Sequence, residues 1–136
     1  MTAFDKSIPS EEALVKEYNL QPGPHYSEEL KRIGILKDYQ AVYGCDNPNI
    51  TFDQVLEYME QGYAIMLECM VNYAHWMVLL GYYPLSDNDV EKTSLIFYDP
   101  YYNWIRKFRA DEFMNMWQDG DWRSTNIIKD FIAIRK

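Results

Sequence analysis

A histidine and an aspartate are the first residues in this chain whose types and placing could do chemistry. His75 is one of only two histidines, and Asp99 lies 24 positions further on. His75 opens an apolar segment, Trp76 to Tyr83, and Asp99 closes another, Thr93 to Tyr98, at an Asp-Pro step. If the two segments are neighbouring antiparallel strands, the start of one and the end of the other share an edge of the sheet. Imidazole and carboxylate then meet. A carboxylate on one ring nitrogen fixes the tautomer and makes the other nitrogen the better base, which is what general-base work requires. The bland alternative is a structural hydrogen-bonded pair, and the spacing by itself favours it.

A nucleophile would have to be sulfur, and the chain has two cysteines, Cys45 and Cys69. Cys69 ends the segment before His75 and could lie across from it. Cys45 sits just before an Asn47-Pro48-Asn49 loop. A thiol becomes reactive when a nearby imidazolium lowers its pKa, but a free cysteine is more often a small buried hydrophobe. Two cysteines cannot build a disulfide framework, so reduced thiols and a cytoplasmic location are expected. A zinc site would need His25, Cys45, Cys69 and His75, and none falls at metal-ligand spacing. No metal and no cofactor is expected.

The elements that must position these residues are legible in part. Gln21-Pro22-Gly23-Pro24 breaks the chain, which makes residues 1–24 an arm with one short helix capped by Ser10, and 25–136 a single domain. A second helix should cover Glu28 to Ile33, with Ile35 to Val42 adding a further helical turn or two after Gly34. Thr51 and Gln54 form a capping-box pair. Phe52, Val55, Leu56 and Met59 then fall on one helical face, and Gly62 ends the helix. After Gly62 the apolar period shortens. Tyr63 to Met70 and Trp76 to Tyr83 read as a hairpin, Thr93 to Tyr98 as a third strand and Trp104 to Phe108 as a fourth. Ala110 to Gln118 reads as a helix with Asp111 and Glu112 in its first turn, and Asn126 to Ile134 as a last strand. Helices first and strands after argue an α+β fold with N-terminal helices packed on an antiparallel sheet. Phe52, Val55, Leu56, Met59, Met77, Leu79 and Phe113 are the expected core.

Aromatic residues crowd the proposed His–Asp edge. Trp76, Tyr101, Tyr102 and Trp104 are the candidate ligand-binding set, because tyrosine and tryptophan offer large contact area at low entropy cost. Tyr101, Tyr102 and Trp104 follow a proline turn, where the core makes less demand on them. Asp87, Asp89 and Glu91 in the 84–92 loop read as a solvated face.

Composition bounds the rest. The 136 residues suffice for one core, and 48% apolar with 16% aromatic content excludes disorder. Acids outnumber bases, 21 to 13, for a net charge of −8. The bases do not mass anywhere beyond Lys31-Arg32 and Arg106-Lys107-Arg109. Nucleic acid and anionic membranes are therefore disfavoured as partners. No membrane span and no signal peptide is read from the sequence.

The words around the candidate residues add a resemblance. Gly62-Tyr63-Ala64-Ile65-Met66-Leu67, then Ala74-His75-Trp76-Met77-Val78-Leu79-Leu80-Gly81-Tyr82, then Leu95-Ile96-Phe97-Tyr98-Asp99-Pro100, then Phe113 and Trp117, resemble the second half of the papain-like peptidases that process bacteriocins behind double-glycine leaders. The resemblance covers about residues 50 to 135. It implies a papain-like sheet, with His75 as catalytic base and Asp99 as its orienting acid. It also implies a nucleophilic cysteine at the start of an N-terminal helix, behind an oxyanion-hole glutamine. This chain has no cysteine before position 45, so the expectation is a degenerate or truncated member. Its leading function is then peptide or protein binding. The alternatives are an active thiol hydrolase or acyl-transferase with a displaced Cys69 or Cys45, or one subunit of a split enzyme, and a small acidic inhibitor or immunity protein.

Overall fold

Among the described residues the chain is an α+β protein, a six-stranded antiparallel sheet with four α-helices. A computed structural model describes residues 10–21, 26–71, 73–83, 93–117, 119–120 and 127–136. The 84–92 loop with its acids, the Gln-Pro-Gly-Pro break beyond Gln21, and His25 lie outside the described residues.

Helix α1 spans Glu11–Tyr18, with the Ser10 hydroxyl accepting from the Ala13 N–H, and it buries none of its residues. Helix α2 spans Ser27–Ile33 and ends at Gly34, whose φ of 72° is the left-handed closure that glycine adopts freely. The expected continuation of helix to Val42 is not there. Turns lead instead into strand β1, Gln40–Tyr43, followed by a 3-10 turn at Gly44–Asp46. Four residues of β1 cannot declare a period, and their pairing partner lies at the far end of the chain, so the local pattern carried no strand signal.

Helix α3, Phe52–Glu60, begins with the Thr51–Gln54 capping box. The backbone then turns at Gly62, φ 89°, into the sheet. Strands β2 (Ala64–Val71), β3 (Tyr73–Tyr83), β4 (Ser94–Asp99) and β5 (Trp104–Arg109) follow, then helix α4 (Ala110–Met116). The expected last strand from Asn126 is two pieces: β7, Ile127–Ile128, which pairs with β6, Asp119–Gly120, and β8, Phe131–Arg135. Strand β8 does not sit at an edge. The sheet order is β1-β8-β2-β3-β4-β5, so the C-terminal strand fills a central position.

That position explains why the residues of β8 from Phe131 to Ile134 are all buried. Phe131 and Ala133 face the main core, with Val55, Leu67, Met77, Phe97, Phe113 and Trp117. Ile132 and Ile134 face a second cluster with Leu36, against which Leu30, Ile35, Tyr39, Met66 and Trp76 pack. Helices α3 and α4 therefore cover one face of the sheet, and the α2 region covers part of the other. Of the expected core, Phe52, Val55, Leu56, Met77, Leu79 and Phe113 are buried, and Met59 is partly buried against them.

Asp130 ties three parts of the chain to the start of β8. Its carboxylate accepts the Ser27 N–H at 2.7 Å and the Phe131 N–H at 3.0 Å. Its carbonyl accepts from the indole N–H of Trp117 at 2.9 Å and from the Glu68 N–H at 3.2 Å. The Ser27 hydroxyl in turn accepts the Cys45 N–H at 3.0 Å. A buried carboxylate needs such donors to offset its lost hydration.

Candidate functional site

His75, Met77 and Leu79 share one face of β3, because side chains alternate along a strand. Leu95, Phe97 and Asp99 share the same face of β4, through the pairing of Leu79 with Phe97. Extending that register by one step puts Met77 opposite Asp99, with His75 diagonal to it on the same face. Diagonal neighbours in a sheet are within reach of long side chains. His75 Nε2 stands 3.1 Å from Asp99 Oδ2. The sheet thus brings together the two residues that the sequence singled out.

Two further partners complete the carboxylate. Arg106 Nη1 donates to the same Oδ2 at 3.2 Å, and the Tyr101 N–H donates to Oδ1 at 3.0 Å. The Asp99 side chain is fully buried, while those of His75 and Arg106 keep 10% and 22% of their exposure. Burial pushes the Asp99 carboxyl up, but the bonds from His75, Arg106 and the Tyr101 N–H outweigh it and hold the group below its ordinary 3.8. Asp99 is therefore a charged acceptor with donors on both oxygens. The bond to Nε2 orients the imidazole beside the aromatic turn.

Sequence reasoning missed Arg106. The signal was available in the hairpin register. Asp99 pairs with Trp104, so Arg106 falls two residues along on the same face, diagonal to Asp99. Its guanidinium also lies 5.9 Å from the Trp104 ring and 5.1 Å from the Phe108 ring. These are cation–π distances, and they hold the arginine between the rings and the acid.

The β4–β5 turn carries the aromatics. Asp99 Oδ1 and the Tyr101 N–H close an Asx-type turn, and Asn103 takes a left-handed φ of 54° and accepts from the Tyr98 hydroxyl. Tyr101, Tyr102, Trp104 and Ile105 project from it, 64%, 39%, 53% and 56% exposed. Tyr101 and Tyr102 rings are 4.8 Å apart, Tyr102 and Trp104 5.2 Å, and Tyr101 lies 6.4 Å from the His75 ring. One aromatic surface thus runs from the imidazole to the sheet edge. Trp76 is not part of it. Alternation turns Trp76 to the opposite face from His75, where it packs partly buried against the Leu36–Ile132–Ile134 cluster.

The two thiols are placed differently, one buried next to His75 and the other exposed. Cys69 pairs with His75 across β2 and β3, but it is fully buried in the main core, and its Sγ donates to the His75 carbonyl at 3.7 Å. Cys45 is exposed, in the turn after β1. Strand β1 is three positions from β3, about 14 Å at the usual strand spacing. No three His, Cys, Asp or Glu side chains converge to hold a metal among the described residues. A concavity of about 500 Å³ lies elsewhere, lined by the 47–50 loop and by Gln54, Glu57, Tyr58 and Gln61 of α3 and its end, and it contains neither His75 nor Asp99. No helix of the described residues is long and apolar enough to cross a membrane.

Comparisons of the chain with protein-family models, with curated proteins and with solved structures find no match.

Proposed function

We propose that this chain is a peptide- or protein-binding module on a degenerate papain-like peptidase fold. One observation carries the reading. An exposed run of Tyr101, Tyr102 and Trp104 adjoins the part-buried His75–Asp99 pair. A run of large apolar side chains left in water costs a folded chain solubility, and such runs mark contact surfaces. The sequence words around His75 and Asp99, and the meeting of the two side chains at 3.1 Å, support a papain-like ancestry.

The burial of Cys69 argues against covalent chemistry. Peptide cleavage on this arrangement needs a sulfur whose proton the histidine takes, about 3–3.5 Å from the carbonyl carbon. Without it, His75 and Asp99 orient the turn and present a ring to a ligand.

Two assays test the proposal. The protein is incubated with a mixed peptide library and a thiol-directed inhibitor, and no turnover is expected. Turnover lost on Cys69→Ala or Cys45→Ala overturns the reading and names the nucleophile. Binding from the same library, read by retention and weakened by Trp104→Ala, is the expected positive result.

A further inference from the structure

Strand β5 is an edge of the sheet, and its free side is defined by the ladder it makes with β4. The Ala110 N–H bonds the Thr93 carbonyl at 2.8 Å, in register with the strand pairs that follow. In an antiparallel ladder the bonded pairs alternate with unbonded ones. Phe108, Arg106 and Trp104 therefore spend their backbone groups on β4. Arg109, Lys107 and Ile105 turn theirs outward, and among the described residues no strand pairs with them. The side chains of these same three residues share one face, and all three are exposed.

We infer that the β5 edge takes up an extended acidic segment of a partner protein as an added antiparallel strand. This rests on the peptide-binding reading above and names the ligand's chemistry and its mode of attachment. Three of the six residues of β5 are basic and none is acidic, in a chain whose net charge is −8. Edge lysines are a common guard against unwanted pairing, but a guard does not need Trp104 and Ile105 exposed at the same edge.

The charges select the occupant. A second copy of this chain is disfavoured, because joining the outward residues of two antiparallel β5 strands in the centred register sets Lys107 opposite Lys107, and like charges face to face are destabilising. Arg106 and Arg109 are partly neutralised by Asp99 and Asp111. Lys107 has no ion pair among the described residues, and it stands at the centre of the outward row. A strand laid antiparallel along this edge meets Arg109 first, Lys107 two residues later and Ile105 two residues after that. The recognised pattern is thus acid, any residue, acid, any residue, apolar. Main-chain bonds supply affinity, and the alternating side chains supply the choice, as in other strand-addition complexes.

The test uses the full chain, labelled with nitrogen-15, and a blocked synthetic peptide Thr-Glu-Val-Glu-Thr-Val-Thr, with its lysine counterpart as control. The expected result is saturable binding of the glutamate peptide, with slowed exchange of the Ile105, Lys107 and Arg109 amides. Lys107→Pro removes an outward donor without touching the β4 ladder, since edge strands tolerate proline there. It should weaken binding roughly threefold to tenfold, about the worth of one backbone hydrogen bond. Lys107→Glu should lose the glutamate peptide and gain the lysine one, and this second variant decides the matter if the proline variant does not fold. Equal binding of both peptides by the wild-type chain, or no binding of either, overturns the inference. So does a dimer at β5 in sedimentation. Binding that is insensitive to Lys107→Pro and lost on Trp104→Ala overturns strand addition and leaves the aromatic-surface reading standing. Binding lost on Lys107→Pro but indifferent to Trp104→Ala sustains the edge and overturns that surface.

Discussion

His75 and Asp99 meet at 3.1 Å although neither stands opposite the other in the sheet. The Asp99 oxygen that meets the imidazole also holds Arg106 at 3.2 Å, and its twin holds the Tyr101 N–H at 3.0 Å. One buried carboxylate thus ties the start of β3, the edge strand β5 and the aromatic turn together.

Removing that carboxylate should be costly. Asp99→Ala leaves the histidine and arginine without their shared acceptor and frees the Tyr101 turn. A loss of roughly 1.5–3 kcal/mol is expected in urea denaturation, the range for hydrogen bonds to a charged group. It stays below the cost of breaking a fully buried pair, because the Arg106 side chain keeps 22% of its exposure and can reach water. A change under about 0.5 kcal/mol would place Asp99 outside the framework of the fold.

Acid should unlock the same site. The folded Asp99 carboxyl sits below its ordinary 3.8, because its bonds outweigh the opposing effect of burial. A group depressed in the folded state contributes stability that is fully present above its unfolded value and is lost as pH falls through its folded value. Stability measured on lowering the pH from about 5 should fall less steeply in Asp99→Asn than in the wild-type chain. Parallel slopes in the two proteins would contradict the depressed carboxyl.

The turn after β1 admits no side chain at Gly44. A Cβ there meets Asp130 Oδ1 and comes 2.8 Å from the Phe131 backbone nitrogen. The backbone of a central strand cannot step aside. Gly44→Ala should cost about 1–3 kcal/mol, in the range of overpacked cores, and broaden the amide signals of Ser27 and Phe131. An unchanged melt would show that the turn relaxes freely.

Packing under the sheet is tested at Leu56, which is 7% exposed in the main core. Leu56→Ala should cost roughly 2–5 kcal/mol in a two-state melt. A loss well under 1 kcal/mol would be too small for a buried leucine in a close-packed core.

The two thiols should differ sharply. Cys45 is exposed and Cys69 is buried. An aromatic disulfide reagent should label Cys45 in the native chain and reach Cys69 only after unfolding. Rapid native labelling of Cys69, mapped by mass spectrometry, would show the core opening beside His75.

Local chemistry determined much of this protein. The Thr51–Gln54 box, the Ser10 cap and the glycine closure at Gly62 depend on residues within a few positions of one another, so their side chains and backbone could be read directly. The hairpin order of β2 to β5 was legible for the same reason, and with it the meeting of His75 and Asp99. Tertiary structure decided what sequence distance hides. Strand β1 is a strand only because β8, about ninety residues later, pairs with it. Trp76 left the binding surface because neighbouring residues on a strand face opposite ways, and the second cluster claimed that face. A register shift between Leu79 and Gly81 lets Tyr82 as well as Leu79 pack toward the main core, which strict alternation forbids. Arg106 joined Asp99, and Asp130 gathered Ser27 and Trp117, through contacts fixed by sheet register and close packing rather than by any motif.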